Sequence, residues 1–251
     1  MTLTTTTVRD IPPIRHAEAM DLAAAEYDRF SALLRSLAPG DWNAPTVCDR
    51  WDVRAMAAHV LGAAEACTSI GENIHQMRLG RRLQRQLGLG HIVHGANEVQ
   101  VRERAGLDPA ALTDRWDRAV PRALKGRRRF PPFLRPVRIG FEAPLGRRPL
   151  GYLMDIVYTR DVWMHRIDIC RATGRQPDLT AAHDGRIIAD MVTDWASTHH
   201  QAFSLHLTGA AGGSYANGTD GPLLEIDATD WAWTISGRAH GSGLLANPLP
   251  L

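Results

Sequence analysis

Lysine, cysteine and long apolar runs are scarce in this sequence. Lys125 is the only lysine among 29 basic side chains. The three cysteines, Cys48, Cys67 and Cys170, are far apart and form no C-x-x-C pair, which excludes a disulfide framework and a cysteine-rich zinc site. There is no stretch of about 18 apolar residues, and the first residues contain no apolar signal segment. We therefore expect a cytoplasmic protein with no membrane partner.

The remaining composition is typical of a globular protein. The chain has 251 residues, of which 44% are hydrophobic and 22% are charged, and its formal net charge is +2. At about 100–200 residues per domain, this length predicts one large domain or two smaller ones. A disulfide- or metal-dependent miniprotein is excluded.

Positive charge is concentrated in residues 115–148, where eleven basic side chains are balanced only by Asp117 and Glu142. Such a segment can attract anions or nucleic acid. Aromatic residues do not alternate with the arginines, as they do in single-strand binding surfaces. The sequence therefore favours a solvated helix face and loop, and we expect no nucleic-acid partner.

Apolar residues recur at helical spacing in the first two thirds of the chain. Ala23, Tyr27, Phe30, Leu34 and Leu37 form one stripe, which predicts a helix over residues 14–38. The other predicted elements are a helix from Val53 toward residue 80, a helix over residues 91–105, a short helix from Asp108 through Trp116 that Pro121 kinks or ends, and an irregular connection over residues 127–149.

The most regular predicted helix covers residues 152–173. Six of its residues are spaced alternately by four and three positions and form one inward seam, namely Met154, Tyr158, Asp161, His165, Asp168 and Ala172. Burying aspartate and histidine on such a seam is unfavourable unless they pair or bind something. The pattern therefore marks this helix as a candidate for function.

The character of the sequence changes near residues 175–180. One more helix is predicted over residues 181–198. Short alternating segments follow, AFSLHLTG and PLLEIDA, and they are separated by glycine-rich turns. These segments are typical of strands. The C-terminal part is therefore expected to be a separate α+β domain.

Asp161 and His165 are four residues apart, so they share one helix face and can reach the same metal ion. His59, on the second predicted helix, would provide a third ligand from across a helical bundle. The spacing alone does not decide between two interpretations. The alternative is a hydrogen-bonded core histidine, with the acid paired to Arg160 or Arg166.

Two segments carry a family resemblance. The run WNAPTVCDRWDVRAMAAHVLG, residues 42–62, and the run TRDVWMHRIDICRATG, residues 159–174, resemble the mycothiol-dependent maleylpyruvate isomerase family of actinobacteria, which is related to DinB-like four-helix bundles. The resemblance implies that His59, Asp161 and His165 bind a divalent metal, most often zinc. The sequence departs from the characterised isomerases at Asp161, where they have glutamate.

The resemblance extends to the C-terminal part, which is similar to sterol-carrier-like folds. It implies an α+β protein with a disordered start at residues 1–13, a DinB-like metal-binding four-helix bundle at 14–175 and a smaller sterol-carrier-like α+β domain at 176–251. Arg238, in the segment ISGRAHG, matches an arginine-containing segment of the family. It is the candidate catalytic residue that would bind a substrate carboxylate through two hydrogen bonds.

The implied activity depends on a metal and on mycothiol. A low-molecular-weight thiol is activated as a thiolate and adds to a small electrophile, which is expected to bear a carboxylate, for cis-trans isomerisation or S-transfer. The protein is expected to be a monomer. The alternative is a non-catalytic protein that binds a small molecule or lipid and contains a structural metal.

Overall fold

The computed structural model describes residues 4–250, which adopt an α+β fold. They divide into two compact units. The first, here called the helical unit, contains His16–Val137 and Pro149–Pro177. The second, here called the sheet unit, contains residues 4–15, Arg138–Arg148 and residues 178–250. Division into domains at residues 14–175 and 176–251 stays a prediction.

The helical unit is built from helices of different lengths. They are α1 (His16–Ser36), α2 (Val53–Ala66), α3 (Ile70–Leu87), α4 (Ile92–Arg102), α5 (Pro109–Arg128), α6 (Leu150–Tyr152) and α7 (Tyr158–Ala172), with the π-helical turn Leu153–Val157 between the last two. No helix within residues 4–250 is both long enough and apolar enough to cross a membrane.

Four helices, α1, α2, α5 and α7, pack around one apolar core. Trp116 of α5 is fully buried at its centre, and its ring lies against Tyr27 and Phe30 of α1 with ring centroids 5.2 and 4.9 Å away. The indole N–H donates to Ser31 Oγ over 2.7 Å, which satisfies the only polar atom of the ring. Helices α3 and α4 pack against each other and against α2.

The predicted helix from Val53 toward residue 80 is wrong as a single element. Helix α2 ends at Ala66, and α3 begins at Ile70. Thr68 Oγ1 donates to the carbonyl of Glu65 over 2.8 Å, and Ser69 Oγ accepts from the amide of Glu72 over 3.1 Å. Short hydroxyl side chains that bond to nearby backbone groups stop one helix and start another.

The prediction that Pro121 ends or kinks a short helix also fails on length, because α5 continues to Arg128. A proline inside a helix costs about 3 kcal/mol. Trp116, Ala119 and Ala123 lie on both sides of it and are fully buried. Burial of this face offsets a cost of that size, since one fully buried large side chain contributes about 1.5–3 kcal/mol and each further buried methyl group about 0.8 kcal/mol.

The sheet unit has a mixed four-stranded sheet. Its strands are β1 (Thr5–Thr7), β4 (Phe203–Thr208), β5 (Gly213–Asn217) and β6 (Leu223–Asp227), in the order β1-β5-β4-β6. Strand β4 is antiparallel to β5 and parallel to β6, and β1 is parallel to β5. Phe203, Leu205 and Leu207 are buried while their neighbours are more exposed, which is the period-two pattern that the sequence predicts.

Two helices accompany this sheet, α8 (Arg186–His199) and α9 (Ala228–Ile235). The predicted helix over residues 181–198 corresponds to a π-helical turn, Ala181–Gly185, followed by α8. Helix α9 is not predicted, because it is short and follows β6 without a loop. Trp195 of α8 and Trp231 of α9 are fully buried, with ring centroids 5.7 Å apart.

Two segments are more ordered than expected. Thr5–Thr7 pair with β5 and are followed by a 3-10 turn, Val8–Asp10, so the expectation of disorder over residues 1–13 does not hold there; residues 1–3 lie outside the described residues. Within the predicted irregular connection 127–149, β2 (Arg138–Gly140) pairs with β3 (Arg147–Pro149). Backbone pairing organises both segments despite their polar composition.

Candidate metal centre

Helix α2 begins at a loop that fixes its direction. The carboxylate of Asp52 accepts from the amide of Ala55 over 2.7 Å and caps the helix. The amide of Val53 donates to the carbonyl of Ala44 over 3.0 Å, which closes the loop beneath the cap. A carboxylate at this position satisfies an otherwise unpaired amide and favours helix initiation. Within α2, His59 is only 3% exposed.

Helix α7 follows a π-helical turn whose carbonyls are held by a buried arginine. Arg127 donates to the carbonyls of Met154 and Asp155 over 2.7 and 3.4 Å. It also donates to Thr159 Oγ1 over 2.7 Å and to Tyr27 Oη over 3.1 Å. A π turn shifts the phase of the residues that follow it. Arg127 therefore stabilises the turn that precedes Asp161 and His165.

The three predicted ligands, His59, Asp161 and His165, lie together in the structure. One ligand atom of each lies within 4.8 Å of the others. Oδ1 of Asp161 is 3.4 Å from Nε2 of His59 and 3.6 Å from Nε2 of His165. The two imidazole rings are nearly perpendicular, with centroids 4.9 Å apart. Both histidines are buried and the aspartate is partly exposed.

A chain of amide side chains orients the ring of His59. The carbonyl of Gly62 can only accept, and Nε2 of Gln76 donates to it over 2.9 Å. Oε1 of Gln76 then accepts from Nε2 of Gln100 over 2.9 Å. This leaves Oε1 of Gln100 to accept from Nδ1 of His59 over 2.7 Å. With its proton on Nδ1, a neutral His59 directs the lone pair of Nε2 toward Asp161.

The second histidine is oriented in the same way by a carboxylate. Nδ1 of His165 donates to Oδ2 of Asp168 over 2.8 Å, and the side chain of Asp168 is fully buried. A carboxylate behind a histidine fixes its tautomer and raises its basicity as a ligand. Asp168, one of the polar residues on the predicted inward seam, is therefore positioned to orient a ligand. Nε2 of His165 is therefore left to face Asp161.

Trp51 covers the two histidine rings. Its ring centroid lies 4.9 Å from that of His59, at an angle of 30°, and 6.3 Å from that of His165. An apolar ring against the cluster lowers the local dielectric and strengthens the interactions of any charge held there. The ring of Trp51, just before the start of α2, therefore forms a wall of the cluster.

Nearby polar groups have partners of their own. Arg166 donates from Nε and Nη2 to the carboxylate of Glu26 over 2.6 and 3.1 Å, and both side chains are buried. Arg160 donates from Nη1 to Tyr152 Oη over 3.3 Å. The fork geometry of the Arg166 pair is the strong, bidentate form of an ion pair.

Cys67 lies at the C-terminal end of α2 and is not suited to be a nucleophile. Burial raises the pKa of its thiol to about 11, even though the charge of Arg127 lowers it. A thiol with this pKa is almost fully protonated near neutral pH, and the thiolate is the reactive form. Burial also raises the pKa of the neighbouring Tyr158 well above its ordinary value. Cys67 is therefore a packing residue of the buried core.

Arg238, the predicted substrate-binding residue, belongs to the sheet unit. It follows α9 and is partly buried, and its amide donates to the carbonyl of Trp233 over 3.0 Å. Its predicted catalytic role stays a prediction.

The comparisons with known proteins identify the family of the chain. Residues 23–170 match the family model described as the mycothiol maleylpyruvate isomerase N-terminal domain. The chain belongs to the mycothiol maleylpyruvate isomerase family. The matched region contains His59, Asp161 and His165, so the resemblance inferred from sequence motifs is confirmed. No curated protein matches this chain.

Two solved structures have a similar fold. They are the crystal structure of the mycothiol-dependent maleylpyruvate isomerase and that of a variant with one histidine replaced by alanine. Each is 17% identical in sequence, with a TM-score of 0.58, and the match covers 94% of this chain and 93% of the other. At this identity the similarity supports the α+β fold of this family member.

The cluster in this family member fits a divalent cation. With the proton of each imidazole on Nδ1, two nitrogen lone pairs and a carboxylate oxygen point toward one another. No proton lies between these three atoms, so they form a set of electron-pair donors without a hydrogen bond among them. Ligand atoms at about 2.1 Å from a tetrahedral zinc ion are about 3.4 Å from one another. The observed separations of 3.4 and 3.6 Å are close to that value. Two imidazoles and one carboxylate also match the ligands of catalytic zinc sites.

Sequence reasoning missed Gln76 and Gln100. Both are buried and lie on α3 and α4, outside the two motifs that carry the resemblance. A buried glutamine must be hydrogen-bonded, so two glutamines on the inward faces of predicted helices were the available signal. Gly62 permits the close approach, because a Cβ there would lie 2.5 Å from Cβ of Gln100.

Proposed function

We propose that this chain is a metal-dependent enzyme that uses mycothiol or a related thiol to attack a small electrophile. In this proposal His59, Asp161 and His165 hold one divalent ion, and zinc is the metal we favour for two imidazoles and a carboxylate. The observation that supports the proposal best is that both Nε2 atoms are turned toward the carboxylate of Asp161 by partners on Nδ1.

When bound, such an ion lowers the pKa of a coordinated thiol and stabilises its thiolate. The residues of the chain prepare the site for this ion. Gln100 and Asp168 hold the two imidazoles in the tautomer that presents Nε2, and Asp161 supplies negative charge. Trp51 excludes water from one side of the cluster, which strengthens the electrostatic interactions within it.

The reaction that this site serves is thiol addition to an activated double bond. The cosubstrate thiolate forms a C–S bond to a conjugated carboxylate-bearing substrate, and the electron pair of the double bond moves into the conjugated carbonyl as an enolate. Rotation about the carbon–carbon bond, now single, follows, and elimination of the thiolate restores the double bond in the other configuration. In an S-transfer reaction the enolate would instead take up a proton, and the thioether would be the product. Arg238 is proposed to bind the substrate carboxylate through two hydrogen bonds. A reduced thiol requires a reducing compartment such as the cytoplasm.

Turnover tests the proposal. Protein stripped with a chelator is assayed with zinc, mycothiol and maleylpyruvate together, and in mixtures that omit each of the three in turn. We expect isomerisation only when zinc and thiol are both present, and loss of at least about 100-fold in rate in Arg238→Met, because a missing charged partner in a transition state costs about 2.7 kcal/mol or more. Turnover without thiol would contradict the proposal. Metal binding without turnover on any thiol and electrophile pair would favour the non-catalytic binding protein.

A further inference from the structure

A cavity of about 350 Å³ lies within the helical unit, close to the metal cluster. This volume is within the range of small-molecule binding pockets, about 300–1,000 Å³. Its walls come from the loop before α2, the end of α3 and one face of α4. The lining residues are Cys48, Asp49, Arg50, Trp51, Leu89, His94, Asn97 and Glu98.

The loop that forms one wall is held in place by its own hydrogen bonds. Thr46 Oγ1 donates to the carbonyl of Trp51 over 2.7 Å, and the amide of Trp51 donates to the carbonyl of Cys48, also over 2.7 Å. The amide of Cys48 in turn donates to Thr46 Oγ1 over 3.2 Å. A pocket wall that is fixed before binding reduces the entropy lost when a ligand binds.

The cavity lining has no excess of positive charge. It contains two carboxylates, Asp49 and Glu98, and one guanidinium group, Arg50. Arg50 forms an ion pair with the buried Glu98, which also pairs with Arg102 outside the lining. The cavity therefore offers little net attraction to a phosphate or a free carboxylate. With the amide of Asn97, which both donates and accepts, the lining suits a neutral ligand with many hydroxyl groups.

The cavity and the metal cluster share one residue. Trp51 lines the cavity, and its ring lies against the rings of His59 and His165. Helix α4 is also shared, since it supplies Asn97 to the cavity and Gln100 to His59. A molecule with hydroxyl groups at one end and sulfur at the other could therefore occupy the cavity while its sulfur reaches the cluster.

We propose that this cavity binds the polyhydroxylated, sugar-like part of the thiol cosubstrate. The inference rests on the proposed function and adds the residues that recognise the thiol. Asn97 and Asp49 bond to hydroxyl groups, the Arg50 and Glu98 pair supplies a donor and an acceptor of fixed orientation, and Trp51 provides an aromatic surface for the ring. The electrophile, whose carboxylate needs a cationic partner, binds elsewhere.

The test uses the metal-free protein, so that recognition of the hydroxyl groups is separated from binding of sulfur to the ion. The probe is S-methyl mycothiol, whose sulfur cannot ionise, and its Kd is measured by titration calorimetry. The variants are Asn97→Leu and Asp49→Ala. The matched control is Asn73→Leu on α3, which lies outside the cavity lining. Circular dichroism establishes that each variant is folded.

We expect each cavity variant to raise the Kd of the probe about tenfold, the effect of losing about 1.4 kcal/mol of hydrogen bonding, and the control to leave it unchanged. In the zinc-loaded enzyme, Asn97→Leu should raise KM for mycothiol by a similar factor and leave kcat at saturating thiol unchanged. An unchanged Kd in both cavity variants, or no binding to the wild type, would overturn the inference. A third outcome separates the two proposals: the wild type binds the probe, the cavity variants do not, and the zinc-loaded protein has no thiol-dependent turnover. This outcome would support the cavity assignment and contradict the proposed function.

Discussion

Nδ1 of His59 lies 2.7 Å from Oε1 of Gln100, although 41 positions separate the two residues in the sequence. This contact is the last in a chain of amides that begins at the carbonyl of Gly62. Because that carbonyl can only accept, the direction of every bond in the chain is determined. The orientation of a metal ligand on α2 is therefore decided by side chains on α3 and α4.

Removing the acceptor should weaken metal binding. In Gln100→Leu, Nδ1 of His59 loses its partner, and loss of a contact of this kind costs about 10–100-fold in metal affinity. Gln100→Glu keeps the oxygen acceptor for His59 but loses the amide that donates to Oε1 of Gln76, so it should retain more of the zinc affinity than Gln100→Leu. Competition with a chromophoric chelator measures both, and Gln86→Leu, at an exposed position of α3, is the control. Equal affinity in Gln100→Leu and the wild type would show that the amide chain does not hold the ligand.

The length of the carboxylate at position 161 can be tested directly, because the family resemblance implies a glutamate where this chain has Asp161. We expect Asp161→Asn to lose at least about tenfold in zinc affinity, since the charge that offsets the cation is removed. Asp161→Glu should retain the metal, because the partly exposed side chain has room at its solvent side. Zinc titration of the two variants decides this. Retention of zinc by Asp161→Asn together with loss of zinc by Asp161→Glu would contradict a role that depends on the negative charge.

Arg127 should matter for stability more than for chemistry. Its guanidinium is fully buried and donates to two carbonyls and two hydroxyls. Arg127→Met leaves buried acceptors unsatisfied, which costs about 1–3 kcal/mol for each group, so we expect the free energy of unfolding to fall by about 3 kcal/mol or more. Urea denaturation measures it. Arg129→Met, at an exposed position two residues further on, should change it by less than about 0.5 kcal/mol.

Because of Glu65, the free energy of unfolding should depend on pH in the acid range. Burial raises the pKa of its carboxyl, but hydrogen bonds from Arg115 and Arg104 and their charges lower it by more, so the pKa in the folded protein lies below its ordinary value. A carboxyl with a lowered pKa stabilises the fold above its unfolded pKa, about 4.3, and this stability is lost as pH falls through the folded pKa. The destabilisation caused by Glu65→Gln should therefore be full at pH 7 and shrink below pH 4. A destabilisation that is equal at pH 7 and pH 3 would contradict the ion-pair assignment.

The sequence was informative where local pattern and tertiary structure agree. The stripe of Ala23, Tyr27 and Phe30 predicts α1, and the spacing of Asp161 and His165 predicts one shared face. It was less informative where tertiary contacts decide. The continuation of α5 through Pro121 depends on packing around Trp116, and β1 exists because Thr5–Thr7 pair with a strand about 200 residues away.

In the metal cluster, too, some residues could be predicted from the sequence and others could not. The ligands could be predicted because their residue types are diagnostic and two of them are close in sequence. The partners on Nδ1 are less predictable. Asp168 is three residues from His165 and was visible as a candidate, whereas Gln100 belongs to a helix with no recognisable motif. Its place on an inward helix face indicates that Gln100 has a hydrogen-bond partner, but no spacing in the sequence identifies that partner as His59.

Metal content tests the central claim most directly. Wild-type protein purified without chelator is compared by elemental analysis with His59→Ala and His165→Ala, and with His75→Ala, a partly exposed histidine paired with Glu103 on the surface of the helical unit. We predict close to one divalent ion per chain in the wild type and in His75→Ala, and loss of the ion in the other two. A wild type without metal even after supplementation, or full metal content in His59→Ala, would contradict the account.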